Sequence, residues 1–132
     1  MTVAAALQSP ALSLLAATGI GLLIGLERGW RMRMEHEGGR IAGIRTHALL
    51  GLGGWLAGLV STAISPWFGL VAIAGLVVVV IMGHRARLAE PDDNISATNA
   101  VVGIVTIFLG LAATSGFVRE AVIAGGATVM LL

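Results

Sequence analysis

Residues 46–83 read THALLGLGGWLAGLVSTAISPWFGLVAIAGLVVVVIMG and hold no Asp, Glu, Lys or Arg. A single membrane-crossing helix needs only about 20 apolar residues, so this run is too long for one. Ser65-Pro66-Trp67 breaks it near its middle, where a tight turn is expected. Two antiparallel spans follow, at about 47–64 and 67–82. A chain that carries such a pair belongs in a bilayer.

The flanking sequence extends the pattern. Residues 9–26 are uncharged and rich in Leu, Ala, Gly and Ile, a length that just crosses a hydrocarbon core of about 30 Å. No arginine precedes them, whereas a cleaved secretory signal needs a positive region before its apolar stretch. Between this first span and the second, Glu27 to Arg45 gathers charge around Gly38-Gly39 and reads as a polar loop. A second charged loop runs from His84 to Asp93, with Pro91 set against helix. A fourth span is expected at about 96–115, capped by Asp93, Asn94 or Ser96. After a connection at Gly116 to Glu120, residues 121–132 begin a fifth apolar segment too short to cross alone. The expected fold is therefore all-α, a polytopic membrane bundle of about five transmembrane helices. The apolar ending points to a longer protein of which this is the N-terminal part.

Composition agrees. The chain is 57% hydrophobic and 11% charged, with a mean hydropathy of +0.95, where a soluble domain carries about 25% charged residues to wet its surface. There is no cysteine, which removes disulfides, Cys-based zinc sites and a thiol nucleophile. A net charge of +1 gives no ground for a nucleic-acid partner. All the basic residues are arginines, and all but Arg119 fall in the two charged loops. Arginine-rich short loops stay cytoplasmic, so the N-terminus is expected outside and the C-terminus in the cytosol.

Helices in lipid associate through small residues that let backbones approach. Gly21 and Gly25 form one GxxxG, extended by Ala17, and Gly54 and Gly58 form another. Each pair gives its helix a flat face, able to join helices of one chain or two chains of a homodimer.

The residues with most chemical interest end the first span and open the second. They are Gly25-Leu26-Glu27-Arg28-Gly29-Trp30 and Gly43-Ile44-Arg45-Thr46-His47. Ionisable groups at a membrane edge are costly unless paired or hydrated, so Glu27 and Arg28 are expected to face Arg45 and His47. The cluster Glu27, Arg28, Arg45, Thr46 and His47 is either an ion pair locking two helices or a binding site. Trp30 and Trp67 read as anchors at opposite interfaces, and Trp55, deeper, as core. His36 between Glu35 and Glu37, and His84, read as solvated loop residues. Asp92 and Asp93 carry a weaker signal for a hard cation such as magnesium, with helix capping the simpler reading. Asn99 recurs at helical spacing with Thr98, Thr106 and Thr114 in a polar stripe suited to interhelical hydrogen bonds. No nucleophile-base set, HExxH, phosphate-binding loop or pair of intramembrane acids is present, so no enzyme is expected.

GLLIGLERGW at Gly21 to Trp30, joined through an arginine-rich stretch to GIRTHALLG at Gly43 to Gly51, resembles the MgtC/SapB family of bacterial membrane proteins. Thr98, Thr106, Phe108 and Gly110 are similar to one branch of it, which often has an acid where this chain carries Ala100. The resemblance implies a five-helix N-terminal membrane domain, a further C-terminal domain, a multi-pass place in the bacterial inner membrane, and a non-enzymatic link to magnesium homeostasis and virulence. It assigns function to Glu27, Arg28, Arg45, Thr46 and His47; no resident cofactor is expected, Mg2+ being the one candidate. A regulatory or interaction role with the bilayer and another membrane protein as partners is one reading. A small cation or solute transporter or channel subunit is the alternative.

Overall fold

A computed structural model describes residues 2, 5, 9–35, 42–88 and 98–132. They form five helices: α1 (Pro10–Glu35), α2 (Ala42–Ala63), α3 (Pro66–Leu88), α4 (Thr98–Thr114) and α5 (Val118–Leu131). No strand occurs among the described residues.

Two of these helices begin on the same device. Ser9 Oγ accepts a hydrogen bond from Leu12 N at 3.2 Å with Pro10 as the first helical residue. Ser65 Oγ accepts from Trp67 N at 3.4 Å with Pro66 in the same place. The serine satisfies an orphan donor of the first turn, and the proline has no N–H to orphan. Ser65-Pro66 thus ends one helix and starts the next, inside the uncharged run. Between α4 and α5, Gly116 takes φ +89°, and Phe117 N donates to Ala112 O at 3.1 Å. This is the left-handed glycine closure that stops a helix sharply. The connection is shorter than the sequence suggests, because Val118 to Glu120 already belong to α5.

The largest correction concerns the charged stretches. Glu27 to Glu35 is not loop but the last turns of α1, and α2 already starts at Ala42. Likewise α3 runs through His84 and Arg85 to Leu88. Leu, Glu, Arg and Met are good helix formers, and Glu27 supports Arg31 one turn on, so charge alone does not end the helix. Residues 36–41 and 89–97, with His36, Gly38-Gly39, Pro91, Asp92 and Asp93, lie outside the described residues.

Helix α2 is central, packed against α1, α3 and α4, while α5 lies against α4 and α1. The glycine pairs make this possible. A Cβ on Gly21 would run into His47 O and lie 2.9 Å from Ala48 Cα, and one on Gly25 would lie 2.6 Å from Ile44 Cα. A Cβ on Gly51 would lie 2.5 Å from Ala17 O, so α1 and α2 run antiparallel with backbones in contact. On another side of α2, Gly54 abuts Ile107 O and Gly58 abuts Thr114 of α4, while Gly110 of α4 abuts Gly51 O. Both glycine pairs are therefore occupied within the chain.

Around these contacts Ala17, Ile20 and Ile24 of α1 bury against Val102, Leu109 and Ala113 of α4 and Val118 and Ala121 of α5. Helix α3 is the outlier. Within its apolar stretch Pro66–Ala86 only 6% of the helix is buried, against 33% for Pro10–Arg31 of α1. These two helices are by themselves long and apolar enough to cross a membrane; α4 is apolar but shorter.

Candidate functional site

The antiparallel packing of α1 on α2 brings the C-terminal end of α1 beside the first turns of α2. Gly25 sits on Ile44, and Gly43 faces the Arg28 stem, a Cβ there standing 3.9 Å from Arg28 Cβ. Gly25 lets the two charged segments meet at backbone distance, which a side chain there would prevent, whereas a Cβ on Gly43 would make only ordinary contacts.

His47 is 9% exposed and its Nδ1 lies 2.7 Å from Gly43 O, one turn back in α2. The same residue's carbonyl is the backbone that Gly21 touches. His47 is thereby fixed by its own helix and by α1. Arg28 is half-buried at the junction, while Arg45 and Thr46 are exposed.

Glu27 does not reach across to Arg45 or His47 as the sequence suggests. Its Oε1 accepts from Arg31 Nε at 2.9 Å within α1, with the two side chains 29% and 55% exposed. Four positions along a helix put side chains on one face, and this intrahelical geometry needs no help from a neighbour. The four-residue spacing of Glu27 and Arg31 is itself the sequence signal for this pair. The structure thus gathers Arg28 and His47 at the α1–α2 contact and leaves Glu27 and Arg45 on its rim.

The remaining candidates part company. Asn99 is half-buried in the first turn of α4, at the same end of the bundle. Of the expected polar stripe, Thr106 is fully buried but turns back on Val102 O of its own helix at 2.8 Å. Thr114 crosses, donating to Trp55 O of α2 at 2.9 Å. Trp55 Nε1 in turn donates to Ser13 Oγ of α1 at 2.9 Å. Three helices are joined there, away from the end that carries Arg28 and Arg45. Sequence reading placed Trp55 in the core without seeing its polar partners, because nothing in local spacing ties Ser13 to a residue so distant in the chain.

Trp30 at the charged end and Trp67 at the start of α3 are 66% and 74% exposed, at opposite ends of the bundle. That is the disposition of interfacial tryptophans.

Magnesium needs oxygen ligands, commonly one or two carboxylates with retained water. Among the described residues no three of His, Cys, Asp and Glu converge, and the Glu27 carboxylate is held by Arg31.

A model of the MgtC family matches residues 14–132, nearly the whole chain and all five helices in whole or large part. No curated protein and no solved structure matches it.

Proposed function

Given that this chain belongs to the MgtC family, a family of membrane proteins linked to magnesium homeostasis, we propose that it acts as a regulator through its α1–α2 end. In this reading it is a multi-pass protein of the bacterial inner membrane, its N-terminus outside and the Arg28–His47 end facing the cytosol. It performs no catalysis and holds no resident cofactor. Another membrane protein is its partner, met at the exposed rim of Arg45 and Thr46.

One observation carries the proposal: Gly21 and Gly25 bring the GLER and GIRTH segments to backbone contact, and that contact sets the charged end of α1 beside Arg45 and His47 of α2. A lock this close holds the rim in one shape, which recognition by a partner needs. A transporter would instead be expected to bind its substrate near the midplane on interrupted helices. Here the described charged side chains stand at helix ends, and α1 to α3 run unbroken through their apolar stretches.

The test is magnesium flux into liposomes containing the purified protein, with an ion-sensitive dye inside, beside empty liposomes and Glu27→Gln. Flux at the empty-liposome level, together with a membrane protein that co-purifies with wild type and is lost on Arg45→Ala, is the expected result. Protein-dependent flux abolished by Glu27→Gln would replace the regulator by a transporter.

A further inference from the structure

We propose that Arg45 and Arg85 bind the phosphate groups of anionic phospholipids, forming a headgroup-binding collar at the arginine-rich end of the bundle. The inference rests on the membrane reading above and adds the lipid class and the residues that select it.

The register of α2 on α3 is the first support. A Cβ on Gly53 would lie 3.0 Å from Leu76 Cδ1, and one on Gly69 would lie 2.5 Å from Ser61 Cβ. The helices are antiparallel, and little more than two turns from the Gly53–Leu76 contact Arg45 and Arg85 come level.

Direction is the second. On α2 the exposed residues Leu49, Leu56 and Leu59 share one helical face with Arg45, away from the faces that α1, α3 and α4 cover. On α3 the exposed residues Trp67, Val71, Ala74, Val78 and Ile81 share a face with Arg85, opposite Gly69, Leu76 and Val80, which meet the bundle. Each arginine thus tops an apolar stripe that faces lipid. Trp67 and Arg85 stand about 27 Å apart along the axis of α3, close to the thickness of a hydrocarbon core. A guanidinium on a three-carbon stem at that depth rises to the headgroups.

Charge is the third. At this level the described side chains include Arg28, Arg31, Arg45 and Arg85 against the single acid Glu27, which Arg31 already engages. All the cations here are arginines, whose planar fork matches phosphate oxygens in pairs where lysine offers a point charge.

The test is native mass spectrometry of the purified chain after equilibration with equal phosphatidylglycerol and phosphatidylcholine. Wild type is expected to retain phosphatidylglycerol preferentially, with about fivefold weaker retention for each of Arg45→Gln and Arg85→Gln. Arg119→Gln, at the opposite end of the bundle, is expected to behave as wild type. Equal retention of the two lipids by wild type, or undiminished phosphatidylglycerol in the double variant, would overturn the proposal. Displacement of the lipid by millimolar glycerol phosphate would also overturn it, making the pair a site for a soluble anion. Flotation with pure phosphatidylcholine vesicles checks the membrane reading separately, because it needs no anionic headgroup. A chain that floats yet shows no lipid preference loses the collar alone.

Discussion

Trp55 and Ser13 are joined by a 2.9 Å hydrogen bond from the indole Nε1 to the serine Oγ, tying α2 to α1. Ser13 Oγ also lies 2.9 Å from Pro10 O, to which it donates, and Thr114 Oγ1 donates to the Trp55 carbonyl. The serine hydroxyl is thus acceptor and donor at once, and three helices share one polar knot among apolar neighbours.

Trp55→Phe removes the donor and keeps most of the ring. It is expected to lower stability by about 1 kcal/mol, since hydrogen bonds between helices in lipid are worth about 0.6 and at most about 1.7 kcal/mol. Ser13→Ala should cost a similar amount, and the double variant little more than either alone, because both remove one bond. Reversible unfolding in mixed micelles measures all three, and fully additive losses would mean that the bond contributes nothing.

Glycine substitutions should divide by what faces them. Gly110→Ala drives a methyl into Gly51 O, and rigid backbone on both sides gives an expected loss of at least about 2 kcal/mol. Gly75→Ala, on the open side of α3 with no atom within 4 Å, should be neutral or slightly stabilising. Thermal denaturation of the two variants in one detergent compares them, and equal loss would contradict the α2–α4 contact.

Glu27→Gln removes a partly exposed intrahelical pair, so its expected cost in stability is only about 0.5 kcal/mol or less. A variant that stays folded but loses its partner or its effect on magnesium levels would make Glu27 functional. Unfolding in step with any loss of function would instead mark it as structural. Co-purification and melting temperature, measured on the same preparation, separate the two.

Single cysteines introduced into this cysteine-free chain test its passage through the membrane. With an impermeant maleimide added outside intact cells, Ser65→Cys and Gly116→Cys should label, and Arg31→Cys only after permeabilisation. Labelling of all three from outside would sink the proposed topology.

Gly116, at φ +89°, should be replaceable by Asn at little cost, whereas Gly116→Val should lose about 1–2 kcal/mol in the left-handed conformation. Chemical denaturation reads the difference.

Much of this protein was legible before its structure. The uncharged run at 46–83 with Ser65-Pro66 inside it announces two helices, and α2 and α3 fall on it with their boundary at that step. The GLER and GIRTH segments were singled out together, and they do pack together. What misled was charge: Glu27 to Glu35 read as loop, although nothing in that stretch opposes a helix and Glu27–Arg31 favours one.

The amino-acid sequence by itself determined the helical class, the membrane character and the approximate extent of the helices, because hydropathy, helix propensity and Ser-Pro starts act over a few neighbouring residues. Only the tertiary structure decided that Glu27 holds Arg31 instead of His47, and that Gly21/Gly25 and Gly54/Gly58 serve helices of one chain. It alone paired Trp55 with Ser13 and set Arg45 level with Arg85. Those relationships depend on which helix faces touch and in what register, and in a bilayer that is settled by backbone approach at glycines, which local sequence offers to several partners alike.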